Sequence, residues 1–220
     1  LNKYNMCDRI TTNSVWAETK TFFPLFFDYL EKQNKQISVC VIGASDGRFV
    51  VPLAKEGYTV VAIESDPTLL NGGIISVGKN KKIEILGLKK RLELENEFKN
   101  VKVISKNFLD MKVNFKVDAV FTSSTWDCSI NHNRPVKEYI GKMQAIIKPK
   151  GIFCAEYMMP CEDKHKKIEH FIDEKQINKY FDKKWKIIDE FYTPVFNDLP
   201  HIGKEIEHIH RMGFFLAKNK

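Results

Sequence analysis

The run VCVIGASDGRF, Val39 to Phe49, constrains the fold of this chain more than any other stretch. ISVCVIGA, Ile37 to Ala44, is almost continuously apolar, the pattern of a strand buried on both faces of a parallel sheet. It stops at Gly43-Ala44-Ser45-Asp46-Gly47, where small residues permit a tight turn, and resumes as a helical stripe of Phe49, Val50, Leu53 and Ala54 that Gly57 can terminate. TVVAIES, Thr59 to Ser65, is a second buried strand. Strand, turn, helix and strand in that order form one right-handed βαβ unit, which implies an α/β sheet with helices on both faces.

The alternation continues through most of the chain. A charged segment, KKIEILGLKKRLELENEFK, is expected to form a helix on the sheet edge before a third strand, VKVISKN. VDAVFTSS, Val117 to Ser124, is a fourth strand, and the polar loop TWDCSINHNRP leads into a helix with Val136, Tyr139, Ile140, Met143, Ile146 and Ile147 on one face. A turn at Lys148 to Gly151 opens a fifth strand, GIFCAEYMM, and one or two short helices, with Asp173 as a possible N-cap, are expected between Lys164 and Phe181. The last strands, KIIDEFYTP and MGFFLAKN, are separated by a loop of about 16 residues, a length at which structureless connections are usually functional. Residues 1–220 are expected to form one domain: a helical cap over 1–36, rich in phenylalanine, and a Rossmann-like core over 37–220.

Composition narrows the partners. The longest apolar stretch, TFFPLFFDYL, is far short of the ~20 residues a bilayer requires, so no membrane is expected. No signal peptide is visible, and five scattered cysteines without a C-x-x-C pair fit a reducing cytoplasm. The net charge of +7 is mostly dispersed lysine, without an arginine-rich run or RNA-recognition signature, so nucleic acid is not the expected partner.

Gly43 to Gly47 also fits the G-x-S-x-G nucleophile elbow of hydrolases, with Asp118 and His208 able to fill the triad on paper. That elbow requires strands upstream to supply an oxyanion donor, and only the cap precedes Ser45. A dinucleotide fingerprint would need glycine at 45 and 48, where the chain has Ser45 and Arg48. A mononucleotide-like cradle remains. Glu64, at the end of the second strand and about 20 residues beyond the turn, stands where a carboxylate accepts both ribose hydroxyls.

With these residues the chain, from Ile37 onward, resembles the class I S-adenosylmethionine-dependent methyltransferases, in a style similar to small-molecule members of the thiopurine and tellurite-resistance kind. VCVIGASDGRFVVPLAKEGYTVVAIESDP is similar to that family's first two motifs, NVKVISKNFLDM to its third-strand motif and KPKGIFCAEYMM to its fifth strand. The resemblance implies a seven-stranded sheet, mostly parallel with a C-terminal antiparallel strand, and S-adenosyl-L-methionine as cofactor. It implies that Gly43, Ala44, Ser45 and Gly47 line the methionyl part and ribose, that Glu64 holds the ribose hydroxyls, and that Ser65 and Asp66 flank the adenosine. Asn107 and Phe108 would face the adenine, and Ser123 and Ser124 would lie nearest the sulfonium. Two positions depart from the pattern: Ser45 stands where a second glycine is usual, and Val41 where many members carry an acid.

The acceptor site is then expected in loops at the carboxyl ends of the strands. Three are dense in polar residues: Trp126 to Arg134, with His132 and Arg134; Glu156, Tyr157 and Met158; and the last long loop, with His201, His208, His210 and Arg211. Imidazole titrates near neutrality, so these histidines are candidates for a general base or, with the arginines, an anion clamp. His201, Glu205, His208 and His210 form a conceivable metal set, but their spacing matches no familiar ligand pattern and no metal is expected. Trp16, Phe22 and Phe26 suit a core, while Tyr4 and Trp16 are candidates for a lid over the cofactor. The expected activity is methyl transfer to an oxygen or nitrogen of a small polar metabolite, anionic ones included. RNA or protein methylation and a non-catalytic binding module are the alternatives; the fourth-strand loop reads SSTWD, without the prolines of base-amino methyltransferases.

Overall fold

A computed structural model describes residues 14–17, 19–33, 36–77, 81–202, 204 and 206–220. Seven strands form the central sheet: β1 (Ser38–Ile42), β2 (Thr59–Glu64), β5 (Val101–Ser105), β6 (Val117–Ser123), β7 (Ile147–Met158), β8 (Trp185–Tyr192) and β11 (Met212–Asn219). Their order is β5-β2-β1-β6-β7-β11-β8. The first five are parallel, and β11 inserts antiparallel between β7 and β8, so the expected terminal antiparallel strand is present.

Strand alternation divides the core in two. Val39 and Val41 face one layer, with Leu53 and Ala54 of α2 (Val50–Lys55), Leu88 and Leu92 of α4 (Gly87–Leu94), and the cap helix α1 (Phe23–Glu31). Cys40 and Ile42 face the other, with Val136, Tyr139, Ile140 and Met143 of α5 (Val136–Ala145). Phe22 and Phe26 belong to the first layer, and Phe26 stacks on Phe121 of β6 at 5.0 Å. The cap is thereby fixed by aromatic packing. Tyr4 lies outside the described residues.

Two expectations need correction. The segment expected as one edge helix begins instead as β4 (Lys81–Ile85), paired antiparallel with β3 (Gly73–Val77), and its α-helix runs only over Gly87–Leu94. KKIEI alternates, with Ile83 and Ile85 half-buried and their neighbours exposed, so a period of two won over the charge-rich composition that suggested helix. Between Lys164 and Phe181 the two short helices are present as 3-10 helices, His165–Lys167 and Gln176–Tyr180, but Asp173 does not cap the second: Lys175 precedes it, and Asp173 accepts the Glu174 N–H within a turn. The long final loop also carries structure: β9 (Phe196–Asp198) pairs antiparallel with β10 (His208–His210). Its tip is tied to the β3 hairpin through a bridge between Ile202 and Val77.

The topology fixes where a ligand binds. From β1 the chain builds outward through β2 and β5, then returns to build β6 and β7 on the opposite side. Connections leave β1 and β6 in opposite directions, which opens a crevice at their carboxyl ends.

Candidate cofactor and acceptor site

A cavity of about 630 Å³ occupies that crevice. Gly43, Ser45, Glu64, Ser65, Asp66, Asn107 and Phe108 line it on the side of β1, β2 and β5. Ser123, Ser124, Met158, Asp198, His201 and His210 line it on the side of β6, β7 and the β9–β10 hairpin.

The glycine turn is held from both ends. Gly43 and Ser45 both have left-handed backbone, with φ of 72° and 50°. A Cβ on Gly43 would stand 2.1 Å from the Thr125 methyl, so this position requires glycine for space as well as conformation. Ser45 donates its N–H to Glu64 Oε2 at 2.8 Å, while Glu64 Oε1 accepts the N–H groups of Ser65 and Asp66 at 2.7 and 2.9 Å. One carboxylate therefore clamps the β1 turn to the β2 turn. Asp66 in turn caps α3 (Pro67–Asn71) by accepting the Thr68 N–H at 2.7 Å.

Beneath the turn, buried Asp46 accepts the Ser14 hydroxyl and the Val15 N–H, both at 2.8 Å, and pairs with Arg91 at 3.3 Å. This carries the cap onto the loop. Trp16 Nε1 donates to Ser45 Oγ at 2.7 Å and its ring lies 5.4 Å from His201, so Trp16 forms the wall between cradle and hairpin. Glu156, fully buried, accepts the Phe22 N–H, the Thr21 hydroxyl and, at 2.5 Å, the Ser123 hydroxyl. Burial raises its pKa, and those hydrogen bonds with the nearby Arg48 offset the rise only in part. Glu156 is thus a cap anchor.

These contacts decide between the readings of Ser45. Its hydroxyl accepts from Trp16, and the paper triad is scattered: Asp118 bonds Ser38 and Lys148 at the opposite, amino end of the strands. A nucleophile needs a base within hydrogen-bond reach, and Ser45 has none among the described residues. Ser45 is a cradle residue.

The other candidates separate cleanly. Ala44 and Gly47 are packed behind the turn, where a Cβ on Gly47 would meet Leu88 at 2.7 Å; neither lines the cavity. Tyr157 points to the opposite face of β7 from Glu156 and Met158 and is fully buried beside Trp126, as strand alternation demands. His132 bonds the Asp127 carbonyl and lies against His170. Arg134 is paired with Asp110 and Glu138, and Arg211 with Glu174 and Asp173. Tyr157, His132, Arg134 and Arg211 therefore stand outside the cavity wall, with their polar atoms used elsewhere or buried.

His201, His208 and His210 come together, joined by a residue the sequence did not single out, Asp198. One ligand-capable atom from each of the four lies within 4.8 Å of the others. The β9–β10 register places Asp198 opposite His208, with His210 two residues on and so on the same strand face. His210 Nδ1 donates to Asp198 Oδ2 at 3.0 Å. Burial alone would raise the Asp198 carboxyl, but the His210 hydrogen bond, the two imidazoles and the Leu199 N–H bring it below the usual range. Burial also lowers the His201 pKa, against the Ile202 carbonyl and the Asp198 charge, which raise it. The predicted partner Glu205 lies outside the described residues.

Comparison of the whole chain places this geometry among known folds. A TehB from Haemophilus influenzae superposes with a TM-score of 0.65 at 15% identity, over 89% of this chain and 62% of that one. The fold is that of the class I methyltransferases. The magnesium protoporphyrin IX methyltransferase ChlM from Synechocystis PCC 6803, solved with bound SAH, matches at 0.62 and 13% identity over 90% of this chain and 81% of its own. The N-methyltransferase NodS from Bradyrhizobium japonicum WM9 matches at 0.54 and 9% identity over 89% and 93%. The chain thus spans less than two thirds of the TehB chain and most of the other two. No protein-family model and no curated protein matches the sequence.

Proposed function

We propose that this protein transfers a methyl group from S-adenosyl-L-methionine to an oxygen or nitrogen of a small polar metabolite. The observation that carries this reading is the single cavity wall in which the Gly43 turn, the Glu64 clamp and Asn107-Phe108 lie across from Ser123, Ser124 and the histidine hairpin.

The residues fit that cofactor. Glu64 accepts three backbone N–H groups, two of them on Oε1, and Oε2, which accepts only one, keeps a lone pair for a ribose hydroxyl. Phe108 offers a ring and Asn107 an amide at the adenine end. Ser124 Oγ is buried and has no partner among the described residues, a polar atom that a ligand in the cavity would satisfy. Val41 faces the core, so anchoring of the cofactor's amino group falls to Thr19, Ser45 and Ser123 at the cavity wall.

When bound, the cofactor supplies an activated methyl and a neutral thioether leaving group. The protein's own contribution is position: Glu64 fixes the ribose, Trp16 and the cap exclude water, and the Ser123–Ser124 turn borders the space for the acceptor. His201 and His210 line that space. Free Cys40, Cys128, Cys154 and Cys161 suit a reducing cytoplasm, and no helix among the described residues is long and apolar enough to cross a membrane. We read residues 1–220 as one domain. Calorimetry with S-adenosylhomocysteine tests the proposal: micromolar binding that Glu64→Ala abolishes is expected, and absence of binding to the wild-type chain overturns it.

A further inference from the structure

The three imidazoles of the hairpin share one hydrogen-bonding pattern. His201 Nδ1 faces the Ile202 carbonyl at 2.9 Å, His208 Nδ1 the Ile206 carbonyl at 3.0 Å, and His210 Nδ1 the Asp198 carboxylate at 3.0 Å. Each of those oxygens accepts, so each Nδ1 carries a proton and Nε2 is the nitrogen left over in each ring, that of His201 standing 3.8 Å from Asp198 Oδ2. The rings are gathered, with centroids 4.8 Å apart for His201 and His208, 4.3 Å for His208 and His210, and 5.8 Å for His201 and His210. His208 Nε2 is buried and finds no donor among the described residues. Side chains of Asp198, His201 and His210 are only 8%, 14% and 12% exposed.

Three imidazoles and a carboxylate with one ligand-capable atom apiece within 4.8 Å of the others, the unpartnered His208 Nε2 beside them, form a donor set that a cation would satisfy. A second-sphere oxygen on Nδ1 is what orients metal-ligating histidine, and an Asp on one of three such rings is a recurring zinc arrangement. Ligand atoms about 2.0–2.2 Å from a tetrahedral ion are roughly 3.3–3.6 Å apart. The ligand-capable atoms of the cluster, all within 4.8 Å of one another, are already close to that spacing.

We propose that His201, His208 and His210 bind a divalent transition metal ion of the zinc type, with Asp198 orienting His210 and supplying charge. Three protein nitrogens leave a fourth position open, and His201 and His210 place it at the wall of the acceptor space. Imidazole donors favour zinc, iron or copper over magnesium or calcium, which take oxygen ligands. The inference deepens the methyl-transfer reading and rests on it for its substrate class: an acceptor whose ionisable hydroxyl coordinates the ion. On coordination that group releases its proton to solvent and keeps its lone pair, as zinc-bound water does. This joins the preparation of the nucleophile to its placement beside Ser123 and Ser124.

The test uses the full chain with Co²⁺ and Zn²⁺ as probes. One Co²⁺ per chain, with the visible absorption of a low-symmetry nitrogen site and displaced by Zn²⁺, is expected; His208→Ala removes the band, and Asp198→Asn weakens Zn²⁺ affinity 10- to 100-fold. S-adenosylhomocysteine binding, measured in parallel, stays unchanged in His208→Ala, since His208 is not among the cavity-lining residues, and so reports that the variant is folded. Absence of stoichiometric Co²⁺ or Zn²⁺ from the wild type, or a band that survives His208→Ala, overturns the site. Metal binding without any S-adenosylhomocysteine binding would uphold the site and sink the methyl-transfer reading, so the two failures are distinguishable.

Discussion

Glu64→Gln isolates the clamp that joins the two cradle turns. The wild-type carboxylate accepts from Ser45 at 2.8 Å through Oε2, and from Ser65 and Asp66 at 2.7 and 2.9 Å through Oε1. Glutamine has one acceptor oxygen. If it stays with Ser65 and Asp66, its NH₂ is pressed against the Ser45 N–H; flipped, it loses both of the other bonds. The first choice sacrifices less, one charge-assisted bond of about 1.5–3 kcal/mol, and leaves the Ser45 N–H facing a donor. Ser45 already has left-handed backbone, so losing this bond loosens the Ser45 end of the turn, while the Gly43 and Ala44 N–H groups still reach the Ile63 carbonyl at 2.9 Å. The ribose hydroxyls also exchange a charged acceptor for a half-occupied amide. Together these place the binding loss at about 2–3 kcal/mol, or about 30- to 150-fold in Kd for S-adenosylhomocysteine. Titration calorimetry reads the affinity, and urea denaturation reads the accompanying stability loss of about 1–2 kcal/mol. A Gln variant that binds within threefold of wild type would refute the clamp.

Other outcomes follow from single contacts. Gly43→Ala adds a Cβ 2.1 Å from the Thr125 methyl at φ 72°, and should cost at least about 2 kcal/mol of stability and most cofactor affinity; retention of both by thermal melt and calorimetry would contradict the crowding argument. Tyr157→Phe removes a buried hydroxyl that has no partner among the described residues, so stability should be unchanged or raised by about 1 kcal/mol; a large loss of methyl transfer with intact fold would return Tyr157 to the site. Asp127 is pushed up to about 7 by burial, against two backbone hydrogen bonds that lower it. Its folded pKa lies above the unfolded value, so the folded chain holds the extra proton, and stability falls as pH rises from about 4 to about 7, by up to about 4 kcal/mol for this group. Asp127→Asn should flatten that slope in denaturation curves at pH 5 and 8, and an unchanged slope would assign it to other groups.

The gap between the sequence and the site follows from which interactions are local. The β1 strand, the glycine turn and the Glu64 position are legible because strand burial and turn chemistry are set by neighbours in the chain. KKIEI misled because its charge suggested a helix surface, whereas its alternation served a two-stranded ribbon. Glu156 looked like acceptor chemistry, yet its partners Thr21 and Phe22 lie 135 and 134 residues away, and no local signal reports such a bond. Tyr157 was misplaced by one step of the pleat.

By itself the sequence determined the order of the seven central strands, the cradle at Gly43 to Gly47 and its carboxylate, since these depend on periodicity and backbone conformation. Only the tertiary structure decided that Asp198 meets His208 and His210, because antiparallel pairing brings residue 198 beside residue 208 across a connection whose length the sequence leaves free to close in any register. Only it decided, too, that His132, Arg134 and Arg211 spend their polar atoms elsewhere, while His201 and His210 face the cavity. A side chain's chemistry is written in the chain, but the company it keeps is set by the contacts that close the fold.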